Sequence, residues 1–121
     1  FALSEFIYNN NLSPCTMILG MALDKLNENM REPLKKLCKN ADTIILTSFH
    51  SQRSASPKFL ENFINNSGAT DHSPIIKITD SAEEALELSL TISDSPVVAA
   101  GSFYLVGIVM HLLEINTDPK Y

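Results

Sequence analysis

The residues best placed to do chemistry in this sequence are Gly101 and Ser102. They follow the apolar run Val97–Ala100 and precede a second apolar run that ends at Leu113. Glycine permits a tight turn, and serine is a preferred helix cap whose hydroxyl stands beside the unpaired amides of the first helical turn. A strand, a glycine turn and a helix start in that order suit an anion such as phosphate or carboxylate. The same spacing equally suits a plain cap followed by a core helix. Three further polar groups sit where apolar runs end: Asp24-Lys25, the segment SFHSQRSAS with His50 and Arg53, and Asp80-Ser81.

Several chemistries find no support in the pattern. No G-x-x-x-x-G-K-[ST] segment cradles a triphosphate, and no G-x-G-x-x-G follows a strand. Gly101 and Gly107 flank a five-residue, mostly apolar gap that does not bring the backbone against a pyrophosphate. His50, His72 and His111 share no ligand spacing, and Cys15 and Cys38 form neither a metal-like nor a redox pair. A nucleophilic role for Ser102 calls for glycine two residues earlier, where Ala100 stands. Glu83, Glu84 and Glu87 read as the solvated face of a helix. The glycosylation-like triplets at Asn11 and Asn65 read as chance matches.

The elements that must carry these residues follow from periodicity. Phe1–Tyr8 has helical spacing, and 9–14 is turn-forming. Thr16–Leu19 predicts a first strand ending at Gly20, with the Asp24-Lys25 loop beyond it. Met30, Leu34, Leu37 and Cys38 predict a helix over Asn29–Lys39, with Pro33 in its first turn and Arg31, Lys35, Lys36 and Lys39 facing away. Asp42–Thr47 predicts the second strand. Ser56-Pro57 opens a helix with the stripe Phe59, Leu60, Phe63 and Ile64, and Gly68 stops it. Ile75–Ile78 predicts the third strand. A fourth helix opens on the capping box Ser81 to Glu84, and Ala82, Ala85, Leu86, Ser89 and Ile92 form its buried face. Val97–Ala100 predicts a last strand, buried on both faces.

Strands alternating with helices imply right-handed crossovers, and hence a doubly wound α/β fold of three layers, α/β/α, with a mostly parallel sheet covered on both faces. Ligands of such sheets bind outside the carboxyl ends of the strands. The length of 121 residues, 45% of them hydrophobic, suits a single domain over 1–121. A net charge of −5 supplies no basic field for nucleic acid or an anionic membrane. The run from Val97 to Leu113 is broken by Gly101, Ser102, Tyr104 and Gly107, and falls short of the roughly 20 apolar residues a membrane span needs. Small molecules and other proteins are the expected partners. The two cysteines read as core thiols of a reducing, cytoplasmic compartment. The opening FALSEFIY lacks methionine, a basic leader and a cleavage pattern, so a piece of a longer chain is expected.

Four segments carry a family resemblance. GSFYLVGIVMHLL after Val97–Ala100 resembles the Gly-Ser-Leu-Tyr-Leu-Val-Gly segment near the end of folylpolyglutamate and dihydrofolate synthases, members of the Mur ligase superfamily. ILGMALDKL resembles the family's strand, glycine and Asp-Lys loop. ADTIILTSFHSQRSAS resembles its second strand and arginine-containing loop, and DSAEEALELSL its Glu-Ala-Leu helix. All four come in the family's order, and the likeness covers nearly the whole chain.

The resemblance implies the C-terminal, glutamate-binding domain of a Mur-type ligase, truncated at its N-terminus. The family's P-loop lies in a larger preceding ATPase domain, and an Asp-Gly-Ala-His-Asn segment comes shortly before the equivalent of Phe1. The implied reaction uses ATP and magnesium to join glutamate to folate or dihydropteroate through an acyl phosphate. By resemblance, Lys25 pairs with a carboxylate of the incoming glutamate and Ser102 binds the same molecule. Asp24 supports the loop, and Arg53 contacts substrate or nucleotide. No catalytic residue, metal ligand or cofactor site is implied for this domain alone, and the isolated chain is expected to be inactive. The chain departs from the family at Leu26, where an acidic residue often follows the loop lysine, and at Ile108, where glutamate often follows the second glycine. Two other readings stay open. One is a Mur-type ligase that adds an amino acid to a peptidoglycan precursor. The other is a non-catalytic α/β binding or signalling module, although Thr47, Ile78 and Ala100 stand where a receiver-like domain needs aspartates.

Overall fold

A computed structural model of the chain describes residues 9–49, 51–92 and 95–101. Among them, four strands form one parallel sheet: β1 (Cys15–Leu19), β2 (Ala41–Leu46), β3 (Ile75–Ile78) and β4 (Val97–Ala100), in the order β3-β2-β1-β4. Three α-helices alternate with them: α1 (Arg31–Cys38), α2 (Pro57–Ser67) and α3 (Ala82–Ile92). The expected α/β architecture is therefore present, in three layers. The expected helix over 1–8 lies outside the described residues.

The side-chain alternation of β1 and β2 divides the core in two. Met17, Leu19, Ile44 and Leu46 face Leu34, Leu37 and Cys38 of α1 and Leu60 and Ile64 of α2. Ile18 and Ile45 face Ala82, Ala85 and Leu86 of α3 on the opposite side. The small residues Ala82, Ala85 and Ser89 are buried, which lets α3 lie close to the sheet; the Ser89 hydroxyl donates to the Leu86 carbonyl at 2.7 Å and so enters the core satisfied.

The sequence signals at the helix ends act as expected, with local changes. The Ser56 hydroxyl accepts from the Phe59 amide at 3.1 Å, Pro57 opens α2, and Gly68 closes it at φ +82°. At α3 the Ser81 hydroxyl accepts from the Glu84 amide, but the Glu84 carboxylate reaches the amide of Asp80 rather than that of Ser81. The expected helix over Asn29–Lys39 is a 3-10 turn (Glu28–Met30) that runs into α1. Arg31, expected to face away, bonds the Asn66 carbonyl at 3.0 Å and so satisfies a carbonyl that the end of α2 leaves unpaired.

Four apolar positions are more exposed than their pattern implied. Phe59 is half-exposed because it stands in the first turn of α2, at the margin of the layer. Ile75 and Ile78 are half-exposed because β3 is the outermost strand on its side among the described residues. Val97 is 38% exposed, so β4 is not buried on both faces as expected; it too ends the strand order among the described residues, and only its last residue, Ala100, is buried.

At the carboxyl end of the sheet the chains leaving β1 and β4 nearly touch. The Gly20 amide donates to the Ala100 carbonyl at 3.3 Å, and Gly101 adopts φ +101°. A Cβ on Gly101 would lie 2.5 Å from the Gly20 carbonyl oxygen and 2.9 Å from Met21 Cγ. Gly101→Ala is therefore expected to cost more than the roughly 1–3 kcal/mol of backbone strain alone. Gly68→Ala should cost only about 1–2 kcal/mol, because there the added methyl meets the flexible ends of Asp71 and Lys35. Urea unfolding of the two variants checks the order.

Both cysteines are buried and reduced. Burial, with the Asp42 charge adding to it, pushes the Cys15 thiol from 9.0 up to about 11. Burial, with Cys15 nearby, pushes Cys38 up to about 12. Between pH 9 and 11 the folded chain keeps protons that the unfolded chain releases, so these thiols favour folding fully below pH 9 and progressively less above it. The expected outcome is a stability loss between pH 9 and 11 that is smaller in the Cys15→Ala, Cys38→Ala double variant, measured by unfolding midpoints. Neither thiol should react with an alkylating agent at pH 8 until the chain unfolds.

Candidate functional site

β1 and β4 are neighbours in the sheet, yet α1, which follows β1, and α3, which precedes β4, lie on opposite faces. This reversal of strand order is where open α/β sheets leave a crevice outside their carboxyl ends. Gly20 and Gly101 stand at that point. Ser102, the next residue, lies outside the described residues, as do His50 and His111.

The loop leaving β1 is held by the loop leaving β2. The Ala55 amide donates to the Met21 carbonyl at 2.8 Å, the Leu23 amide donates to the Arg53 carbonyl at 2.7 Å, and Ala22 and Ser54 form an antiparallel bridge. Above this backbone seam, Arg53 Nη2 lies 3.1 Å from Asp24 Oδ2 and 3.3 Å from Asp24 Oδ1. The pair is well exposed, with side chains 62% and 60% accessible, so its strength is that of a solvated ion pair. A third loop joins the row where the Ser48 hydroxyl donates to the Asp80 carbonyl at 3.1 Å.

Lys25 ends the 3-10 turn Leu23–Lys25, and its own amide donates to the Ala22 carbonyl at 3.0 Å. Its side chain is exposed, and none of the ion pairs among the described residues involves it. The structure thus brings Asp24, Lys25 and Arg53 to one corner of the carboxyl rim, and it places Gly101 on the adjoining strand. This corner presents a cation to solvent at the carboxyl end of the sheet, beside the reversal of strand order, an arrangement able to take a carboxylate.

Other sequence candidates lie elsewhere or carry structural work. His72 Nε2 bonds the Ala41 carbonyl at 2.8 Å, at the amino end of β2, away from the rim. Among the described residues no three His, Cys, Asp or Glu side chains converge on a possible metal position. Among them also, no helix is long and apolar enough to cross a membrane. The close passage of Gly20 and Gly101 and the pairing of Asp24 with Arg53 were not read from the sequence. The available signals were a glycine directly after each of β1 and β4, and opposite charges in the loops after the neighbouring strands β1 and β2.

No family model matches the chain, and no curated protein matches it by sequence. Its fold is similar to two solved structures. One is the folylpolyglutamate synthase of Mycobacterium tuberculosis, complexed with ADP: 14% identity, TM-score 0.66, covering 82% of this chain and 23% of that one. The other is the bifunctional folylpolyglutamate synthase/dihydrofolate synthase of Yersinia pestis, complexed with AMPPNP and a manganese ion: 19% identity, TM-score 0.66, covering 92% of this chain and 26% of that one. The chain therefore has the fold of one part of a folylpolyglutamate synthase, and it spans about a quarter of the length of either protein.

Proposed function

We propose that this chain is the C-terminal, glutamate-binding domain of an ATP-dependent folate glutamate ligase, acting in the cytoplasm beside a larger domain that holds ATP and magnesium. The observation that carries the reading is the fold likeness, which takes in most of this chain and about a quarter of two such synthases. The rim supports it chemically. Lys25 stands exposed on a turn pinned by the neighbouring loop, at the strand reversal where ligands of this fold class collect.

In this reading the Lys25 ammonium binds a carboxylate of the incoming glutamate, and Ser102 and the amides that follow Gly101 bind the same molecule. Holding the amino acid by its charged ends fixes the direction of its amine, which is the entropic part of the work. Closing the domain over its larger partner then excludes water from the reacting groups. In this reading nucleotide and metal are held by the larger domain, where the family's phosphate-cradling loop lies; this sequence has no such loop. There they supply activation of the folate or dihydropteroate carboxylate.

The test is ATP-dependent incorporation of labelled glutamate onto folate or dihydropteroate by the full polypeptide that carries this domain. Lys25→Ala is expected to raise the glutamate KM about tenfold to a hundredfold, the range for losing a charge-assisted contact, with a smaller change in kcat. Residues 1–121 alone should neither hydrolyse ATP nor ligate glutamate. Transfer of another amino acid to a peptidoglycan precursor would replace this reading with a different Mur-type ligase. A full polypeptide without any ATP-dependent amide formation would overturn it.

A further inference from the structure

We infer that Arg53 is a positioning residue, which acts through Asp24 to hold the Leu23–Lys25 turn and to keep the Lys25 ammonium available. The inference rests on the reading of Lys25 as the glutamate ligand and replaces the direct substrate or nucleotide contact that resemblance implied for Arg53.

The turn has little hold of its own. It is three residues long, buries none of them, and has no side-chain cap at its start. Arg53, by contrast, stands on a braced loop. Its amide donates to the Ser51 hydroxyl at 3.1 Å, the Ser54 amide donates to the Ser51 carbonyl at 3.2 Å, and the Phe49 amide donates to the Ser54 hydroxyl at 3.1 Å. Ala55, which follows, is buried. From that base Arg53 meets the turn twice, through its carbonyl to the Leu23 amide and through its guanidinium to both Asp24 oxygens.

The guanidinium has a second effect. Asp24 adjoins Lys25 in sequence, and a free carboxylate there would compete with the substrate's own carboxylate for the ammonium. With Arg53 on both oxygens, Asp24 is already engaged. The pair is solvated, so its removal should change local order and binding by about twofold to fivefold rather than by orders of magnitude.

Hydrogen exchange and kinetics on the full polypeptide test this. In Arg53→Ala the amides of residues 22–26 should exchange about twofold to fivefold faster. Those of β2 should stay unchanged, and Arg53→Lys should restore most of the protection. The glutamate KM should rise by a similar factor with kcat held. In a Lys25→Ala background, Arg53→Ala should add nothing, since the residue it positions is gone. Unchanged exchange at 22–26 would overturn the inference, and so would a loss additive with Lys25→Ala, which marks direct contact. If the amino acid incorporated is not glutamate, the function reading falls. The exchange result and the same double-variant cycle, run on the amino acid actually used, still decide the role of Arg53.

Discussion

The Gly20 carbonyl and the Gly101 backbone pass each other with no room for a methyl group between them, and the working end of the fold depends on that passage. Two parallel strands, β1 and β4, reach the rim side by side, and the helices attached to them sit on opposite faces. Open α/β sheets bind their ligands at such a reversal of strand order, outside the carboxyl ends of the strands. A side chain at Gly101 would wedge the two strand ends apart and displace Met21, from which the loop to Lys25 departs. The architecture of the sheet and the position of the candidate lysine thus meet in one backbone contact.

Outward from that contact, stability and chemistry separate. The layers rest on ordinary burial: alternate residues of β1 and β2 face α1 and α2 on one side and α3 on the other. The rim rests on hydrogen bonds between loops and on one exposed ion pair, none of which adds much to the stability of the whole. A rim built this way can change in detail without disturbing the layers beneath it. That division fits a fold whose likeness to the two synthases survives at 14% and 19% identity.

Much of the fold was legible in the sequence because local chemistry and burial agree there. Ser56-Pro57 and Gly68 mark the ends of α2 where the structure has them, and the small face of α3 reads directly as close packing. Exposure at the margins was less legible. Phe59, Ile75, Ile78 and Val97 carry the residue types of a core, but their burial depends on how many neighbours the sheet and its helices extend past them. The corner of the rim was legible only residue by residue. Asp24, Lys25 and Arg53 stood out as loop residues after strands, but the seam joining Ala22 to Ser54 links segments about thirty positions apart, and no periodicity encodes it.

The margin at β3 has a consequence for how these molecules coexist in a crowded cell. A parallel strand that is outermost among the described residues, with isoleucines at both ends, is a template onto which a stray extended segment can add, the first step towards aggregation. Lys77, exposed and flanked by Ile76 and Ile78, sets an ammonium within a four-residue edge. A second copy stacking there in register would bring like charges together, and the shortness of the strand leaves few bonds to compensate. Among the described residues, the sheet can therefore end at β3 without inviting growth beyond it.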